Sequence, residues 1–191
     1  IQNTLTDHIS FFRPFYCDWY GQALFIKKGI KILEEGDIFV FKNREDAFDT
    51  VQKTVSNHAR NLQYITIETK DGPKTILNLH GLWNGGGKTD APERLIQSDN
   101  IIQFIKDLKN PHVLMGDFNL EPDTKSLKMI EEIGMKNLIK ENAITSTRSS
   151  HYKKPVKFAD YTLVSDGIKV NDFKVLLDEV SDHLAMYLDF E

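Results

Sequence analysis

His112-Val113-Leu114-Met115-Gly116-Asp117-Phe118-Asn119 is the stretch whose reading decides the fold. A short apolar run following Pro111 reads as a buried strand, and it passes directly into a Gly-Asp-Phe-Asn turn. Residues two apart in extended chain point the same way, so Asp117 and Asn119 share a side. A strand end holds such groups on rigid backbone while leaving them open to solvent.

Working outward, similar strand signals flank this one. Thr75 to His80 is a second β-rich run ending in a polar side chain. Before it, Asn61 to Thr69 alternates apolar and polar residues, and Asp71-Gly72-Pro73 between the two predicts a hairpin. Leu24-Phe25-Ile26 and Ile38-Phe39-Val40-Phe41 read as further short strands. Between His80 and His112 the pattern changes to a helix. Asp90 is placed to cap it, Pro92 sits near its first position, and Glu93 suits its positive end. Leu95, Ile102, Ile105 and Leu108 fall on one face at the 3.6-residue period. A second helix is predicted after Asp123, with Leu127 and Ile130 inward and Gly134 as its stop. Strands return at Phe158 to Ser165 and at Leu184 to Phe190, the latter with Leu184, Met186, Leu188 and Phe190 on one side. Strands interleaved with helices, together with a hairpin, predict an α/β domain with a mixed sheet. No linker rich in Pro, Gly or Ser divides the chain, so residues 1–191 read as one domain.

Composition narrows the function classes. The 191 residues are 40% hydrophobic and 27% charged, as in an ordinary globular protein. There is no apolar run of about 18 residues to span a membrane. Ile1 to Asp7 carries no signal-peptide pattern, and the expected location is cytoplasmic. A single cysteine, Cys17, excludes an intramolecular disulfide and gives no metal-cluster spacing. Net charge is −4 with a pI near 5.9. That argues against gripping duplex DNA by charge alone.

Candidate chemistry gathers at the strand ends: His80, Asp117, Asn119, Asp160 and the pair Asp182-His183. Carboxylates with carboxamide and imidazole groups are the donor set of Mg²⁺ or Mn²⁺ phosphoester chemistry. Each has a plain reading too, as a turn residue or a hydrogen-bonded structural histidine. Their order and common placement carry more weight than any member. Gly81 to Thr89 is Gly-rich between a strand and a helix, but five residues separate Gly81 from Gly87-Lys88, which does not match a P-loop. Trp83 within it reads either as a stacking platform or as a packed anchor. Thr145 to Lys154 reads as a solvated loop, or as one placing Arg148 and Lys154 around a substrate phosphate. His8, His58, His112 and His151 show no ligand spacing, and no Gly-x-Ser-x-Gly elbow supports a serine hydrolase.

Taken together, these motifs resemble the endonuclease/exonuclease/phosphatase superfamily of DNase I-like enzymes. Tyr20-Gly21-Gln22-Ala23 is similar to its Gly-x-Ala strand, and Leu79-His80-Gly81-Leu82 to its His-Leu segment. Gly116-Asp117-Phe118-Asn119 and Ser181-Asp182-His183 match its motifs directly, and Asp160-Tyr161 is similar to its Ile-Asp-Tyr strand. The resemblance implies a four-layer α/β sandwich of two mixed β-sheets. It also implies Mg²⁺- or Mn²⁺-dependent hydrolysis of a phosphodiester or phosphomonoester by water. His183 would be the base or charge stabiliser, oriented by Asp160, because an adjacent Asp182 points away from it in extended chain. Asp182 and Asp117 would lie at the metal, with Asp117 also handling the water or the leaving group. Asn119 would hydrogen-bond a phosphate oxygen and His80 would stabilise the phosphoryl charge.

The family's opening strand with its Asn, and the next with its metal-binding Glu, are not visible before Trp19. The expectation is therefore a domain without its N-terminal strands and with an incomplete metal site. The substrate would be a nucleic acid, a phospholipid or a small phosphate ester, with no obligate protein partner. The alternative from a different class is a catalytically inactive phosphate-binding or protein-interaction domain of the same fold.

Overall fold

The computed structural model describes residues 3–47 and 58–191. β1 (His8–Tyr16) and β2 (Tyr20–Lys27) form an antiparallel ribbon. β3 (Ile32–Phe41), β4 (Arg60–Thr69) and β5 (Gly72–His80) follow as an antiparallel run. The predicted hairpin is β4–β5, whose last pair is Thr69 with Gly72, and Gly72 adopts φ +101° there. α1 (Pro92–Asp107) then crosses over to β6 (His112–Asp117), which pairs parallel to β5, as a long helical crossover allows. α2 (Lys125–Glu132), the short β7 (Lys136–Asn137), α3 (Leu138–Glu141) and β8 (Asp160–Val164) complete a mixed six-stranded sheet in the order β3-β4-β5-β6-β8-β7. β9 (Val170–Val175) and β10 (Met186–Phe190) form a second antiparallel ribbon.

Strand alternation divides the large sheet into two unlike faces. Leu77, Leu114 and Leu163 are directly paired across β5, β6 and β8, and all are fully buried. They share a core with Ile101, Ile102 and Ile105 of α1 and with Leu127 and Ile130 of α2. The Tyr64 and Phe104 rings meet at 5.1 Å on this side. Each leucine so buried stabilises by roughly 1.5–3 kcal/mol, so packing rather than propensity holds the helices.

α1 differs from its expected form at its start. Its N-cap is Ala91 with no side-chain bond, and the inward stripe begins at Arg94, Gln97 and Ser98 before reaching the isoleucines. Asp90 instead caps α2, accepting from the backbone N–H of Lys125 (2.7 Å) and of Ser126 (2.8 Å). Its carboxylate thus sits at a helix N-terminus, but of the helix that follows the Gly-Asp-Phe-Asn turn.

The opposite face carries both ribbons. Gln63 donates to the Phe11 carbonyl at 2.6 Å and Gln22 to the Asn61 carbonyl at 2.9 Å, fixing β1–β2 over β4. Met186 of β10 lies against Thr162 of β8. An apolar groove of about 510 Å³ runs between β10 and the sheet, lined by Ile76, Val113, Met115, Met186 and Leu188. β1 was not foreseen because Pro14 interrupts it and most of its side chains are only partly buried. β9 escaped because Phe173 alone is buried in it. No helix among the described residues is long and apolar enough to cross a membrane.

The approach of β6 to β5 rests on Gly116. Its φ is +133°, and a Cβ there would lie 2.0 Å from the Leu79 carbonyl oxygen. Gly116→Ala is therefore expected to lower unfolding free energy by at least about 2 kcal/mol in urea denaturation, from strain and steric conflict. An unchanged midpoint would show that the strand contact is not what requires glycine.

Candidate active site

The register that builds the core also builds the site. Three residues beyond the Leu77–Leu114 pair, His80 lies opposite Asp117, and Asp117 lies opposite Asp160. The three polar groups thus form one row across β5, β6 and β8, at the sheet end toward which β5 and β6 both run. Backbone bonds lock that end: Gly81 N–H donates to the Asp117 carbonyl (2.6 Å) and Phe118 N–H to the Ala159 carbonyl (2.7 Å). Asn119 takes φ +54°, a left-handed turn its own chemistry supports, as its backbone N–H donates to Asp117 Oδ1 at 2.8 Å. One amide N–H of Asn119 donates to the Gly81 carbonyl at 3.2 Å, leaving the other unassigned.

His183 arrives from the segment before β10. Its Nδ1 is 2.9 Å from both oxygens of Asp160. In the neutral imidazole the Nδ1 proton faces that carboxylate, so Nε2 carries the lone pair toward the cleft. Nε2 lies 3.9 Å from Asp117 Oδ2, beyond hydrogen-bond reach. The hydrogen bond to Asp160 raises the His183 pKa, against a smaller opposing effect of burial. Burial raises that of Asp160, which His183 partly offsets. Asp182 turns away from His183 and pairs with Arg148 at 3.0 Å.

A cleft of about 310 Å³ joins these groups, lined by His80, Asp117, Asn119, Asp182 and His183. Asp160 stands behind His183, outside that lining. Arg148 and Lys154 line it too, and the segment carrying them is not a solvated loop throughout. Thr147, Arg148 and Ser149 are buried, and Thr147 Oγ1 accepts from the N–H groups of Ala159 and Asp160. Trp83 borders the cleft, with Lys154 Nζ 5.7 Å from its ring. Sequence reasoning gave no role to Tyr20, Arg60, Lys88 or Tyr152, which complete the lining. Nothing in the pattern of an isolated strand marks Arg60, its first residue, as facing a cleft built from five other segments.

Charge in the cleft is unevenly carried. Burial, reinforced by Arg60, lowers the His80 pKa to about 4, so this imidazole is neutral at pH 7. It can donate one hydrogen bond to a phosphoryl oxygen but brings no positive charge. Burial and Arg148 lower the Lys88 pKa to about 8, leaving it mostly protonated near neutrality. Cationic stabilisation therefore falls to the lysine and arginines.

Asp117, Asp160 and His183 place donor atoms within 4.8 Å of one another, the spacing of a metal site. Both Asp160 oxygens, however, are already engaged by His183. Asp117 Oδ2 and Asp182 Oδ1 are the carboxylate oxygens of the cleft not engaged in this way. Carboxylate oxygens open to water are the donor type that hard divalent cations take.

Asp160→Asn should lower the His183 pKa, because the hydrogen bond that favours the imidazolium loses its charge. The linked stability has a definite sign. A raised folded-state pKa stabilises fully below the unfolded value near 6.5, and that share is lost as pH climbs through the folded value. Imidazole NMR titration checks both; an unmoved His183 titration in the variant would contradict the pairing.

Comparison with known proteins follows the same lines. The sequence profile of the Endonuclease/Exonuclease/phosphatase family matches residues 3–183. No curated protein sequence matches. Among solved structures, a mannosyl-6-phosphatase from Bacteroides thetaiotaomicron is similar at TM-score 0.77 and 18% identity, over 100% of this chain and 79% of that one. The human Nocturnin catalytic domain with bound sulfate gives TM-score 0.67 and 19% identity, over 100% and 75%. TDP2 of D. rerio, complexed with single-strand DNA product, gives 0.71 and 15%, over 100% and 79%. These likenesses show the shared DNase I-like α/β fold, and the family match over nearly the whole sequence identifies the chain as a member of the Endonuclease/Exonuclease/phosphatase family.

Proposed function

We propose that the chain is a metal-dependent phosphoester hydrolase that directs water at phosphorus through His183. The observation carrying this reading is the Asp160–His183 hydrogen bond, which leaves Nε2 as a base at the cleft, 3.9 Å from Asp117. In the proposed step the water oxygen bonds to phosphorus while His183 Nε2 takes its proton. The bond from phosphorus to the leaving alcohol breaks on the opposite side, and that oxygen takes a proton drawn from solvent. Asp117 orients the water, and the uncommitted Asn119 N–H with the neutral His80 donates to the phosphoryl oxygens. Mg²⁺ or Mn²⁺, held by Asp117 and Asp182, would supply Lewis-acid charge at a phosphoryl oxygen. Membership of the family and the likeness to a phosphatase and to TDP2 with a DNA product support hydrolase chemistry.

Mg²⁺-dependent hydrolysis tests the reading, with nicked plasmid, phosphocholine release and phosphate release followed in parallel. His183→Ala and Asp117→Ala should each lower turnover at least about a hundredfold with folding intact. Near-wild-type rates in either variant would remove the assignment. Asp182→Ala should shift the Mg²⁺ titration to higher concentration, and a superimposable curve would take Asp182 out of the metal site. A folded protein silent on all three substrates would favour an inactive phosphate-binding domain.

A further inference from the structure

Arg60 is the cleft residue whose cost the fold does not explain. It is 2% exposed, and its Nε and Nη1 are buried with no hydrogen-bond partner among the described residues. Its guanidinium lies 4.7 Å from the Phe15 ring, and among the described residues it forms no ion pair with a carboxylate. Arg94 is equally buried but has a structural task, donating from both Nη atoms to the Gly87 and Thr89 carbonyls. Arg60 holds nothing comparable. Leaving such donors unmade is expensive, and the expense is recovered when a ligand supplies acceptors.

Its neighbours define that ligand. Arg60, Lys88, Arg148 and Lys154 line the cleft against Asp117 and Asp182, an excess of positive charge in a chain of net charge −4. Arg148 spends one Nη on Asp182, yet its buried Nε also lacks a partner among the described residues. Lys88 is 3% exposed and reaches the Phe158 carbonyl at 3.0 Å. Several buried donors converging on one small cleft match a terminal phosphate, with three non-bridging oxygens and close to two charges, better than a diester with two oxygens and one.

Resting on the hydrolase reading above, we propose that Arg60 is a substrate-binding residue gripping the non-bridging oxygens of phosphate, and that the site selects phosphomonoesters over phosphodiesters. Arg60→Met keeps the length and the contact with Phe15 while removing the charge. Wild type, Arg60→Met and Arg60→Lys of the 191-residue chain are compared by calorimetric titration with inorganic phosphate, by thermal melting, and by Mg²⁺-supported hydrolysis of p-nitrophenyl phosphate and bis-(p-nitrophenyl) phosphate. Phosphate affinity should fall at least about tenfold in Arg60→Met, with an equal or higher melting temperature and an intermediate affinity in Arg60→Lys. Wild type should prefer the monoester, with that preference reduced in Arg60→Met. Unchanged phosphate affinity would overturn the proposal, as would a wild-type preference for the diester. A variant that melts well below wild type or does not fold would also overturn it, by making the arginine structural. Phosphate binding lost with Arg60 in a chain that turns over neither ester would uphold the anion grip while ending the hydrolase reading. Turnover indifferent to Arg60 would do the reverse.

Discussion

The register between β5, β6 and β8 governs both the core and the site. Because side chains alternate strictly along a strand, pairing Leu77 with Leu114 and Leu163 on the helix side also pairs His80 with Asp117 and Asp160 on the other. A slip by one residue would turn the leucines to the wrong face, at a cost of several kcal/mol in lost burial. Hydrophobic packing therefore fixes the lateral positions of the polar row without any polar contact having to do so. Glycine permits the tight spacing. A Cβ at Gly116 would meet the Leu79 carbonyl oxygen, and one at Gly81 would lie 2.5 Å from that of Phe118.

What sits in that row is electrostatically expensive. Asp160 is buried, and His183 is its compensating partner, which ties the segment before β10 to the sheet end. Arg148 does the same from another direction, binding Asp182 while its backbone pairs with His183. The site is thus assembled from elements far apart in sequence and joined by polar contacts. Such a cleft trades stability for a prearranged field, since its donors and charges need no reorganisation when an anion enters. The neutral His80 fits this scheme, because a second cation beside Arg60 would deepen the repulsion that burial already makes costly.

Much of this was legible in the sequence because the motif residues sit on strongly patterned strands. The Gly116–Asn119 turn, the β4–β5 hairpin and α2 with its Gly134 stop follow from periodicity and turn chemistry alone. Alternation in extended chain counts against Asp182 as the partner of His183, whereas Asp160 in that role came from the family resemblance. Elements that depend on tertiary contact were less readable. β1 carries a proline and weak alternation, and it is held from across the layers by Gln63, while Gln22 of its partner strand β2 bonds Asn61. Asp90 looked like the cap of the nearest helix, but a cap serves whichever N-terminus folding brings to it. Arg60 gave no signal, since a lone basic residue at a strand start reads as solvated until the cleft exists, and Lys88 was weighed only as part of a P-loop whose spacing did not match.

A crystal structure with Mg²⁺ and vanadate would test the central claim most directly, namely that the β5–β6–β8 row and His183 form one phosphoryl site. Vanadate adopts the geometry of phosphorus under attack. The account predicts vanadium in the cleft between His183 and Asn119, with a vanadate oxygen within hydrogen-bond distance of His183 Nε2. Vanadate seated instead on the Gly85–Gly87 loop or in the apolar groove beside β10, with His183 Nε2 facing only solvent, would contradict it.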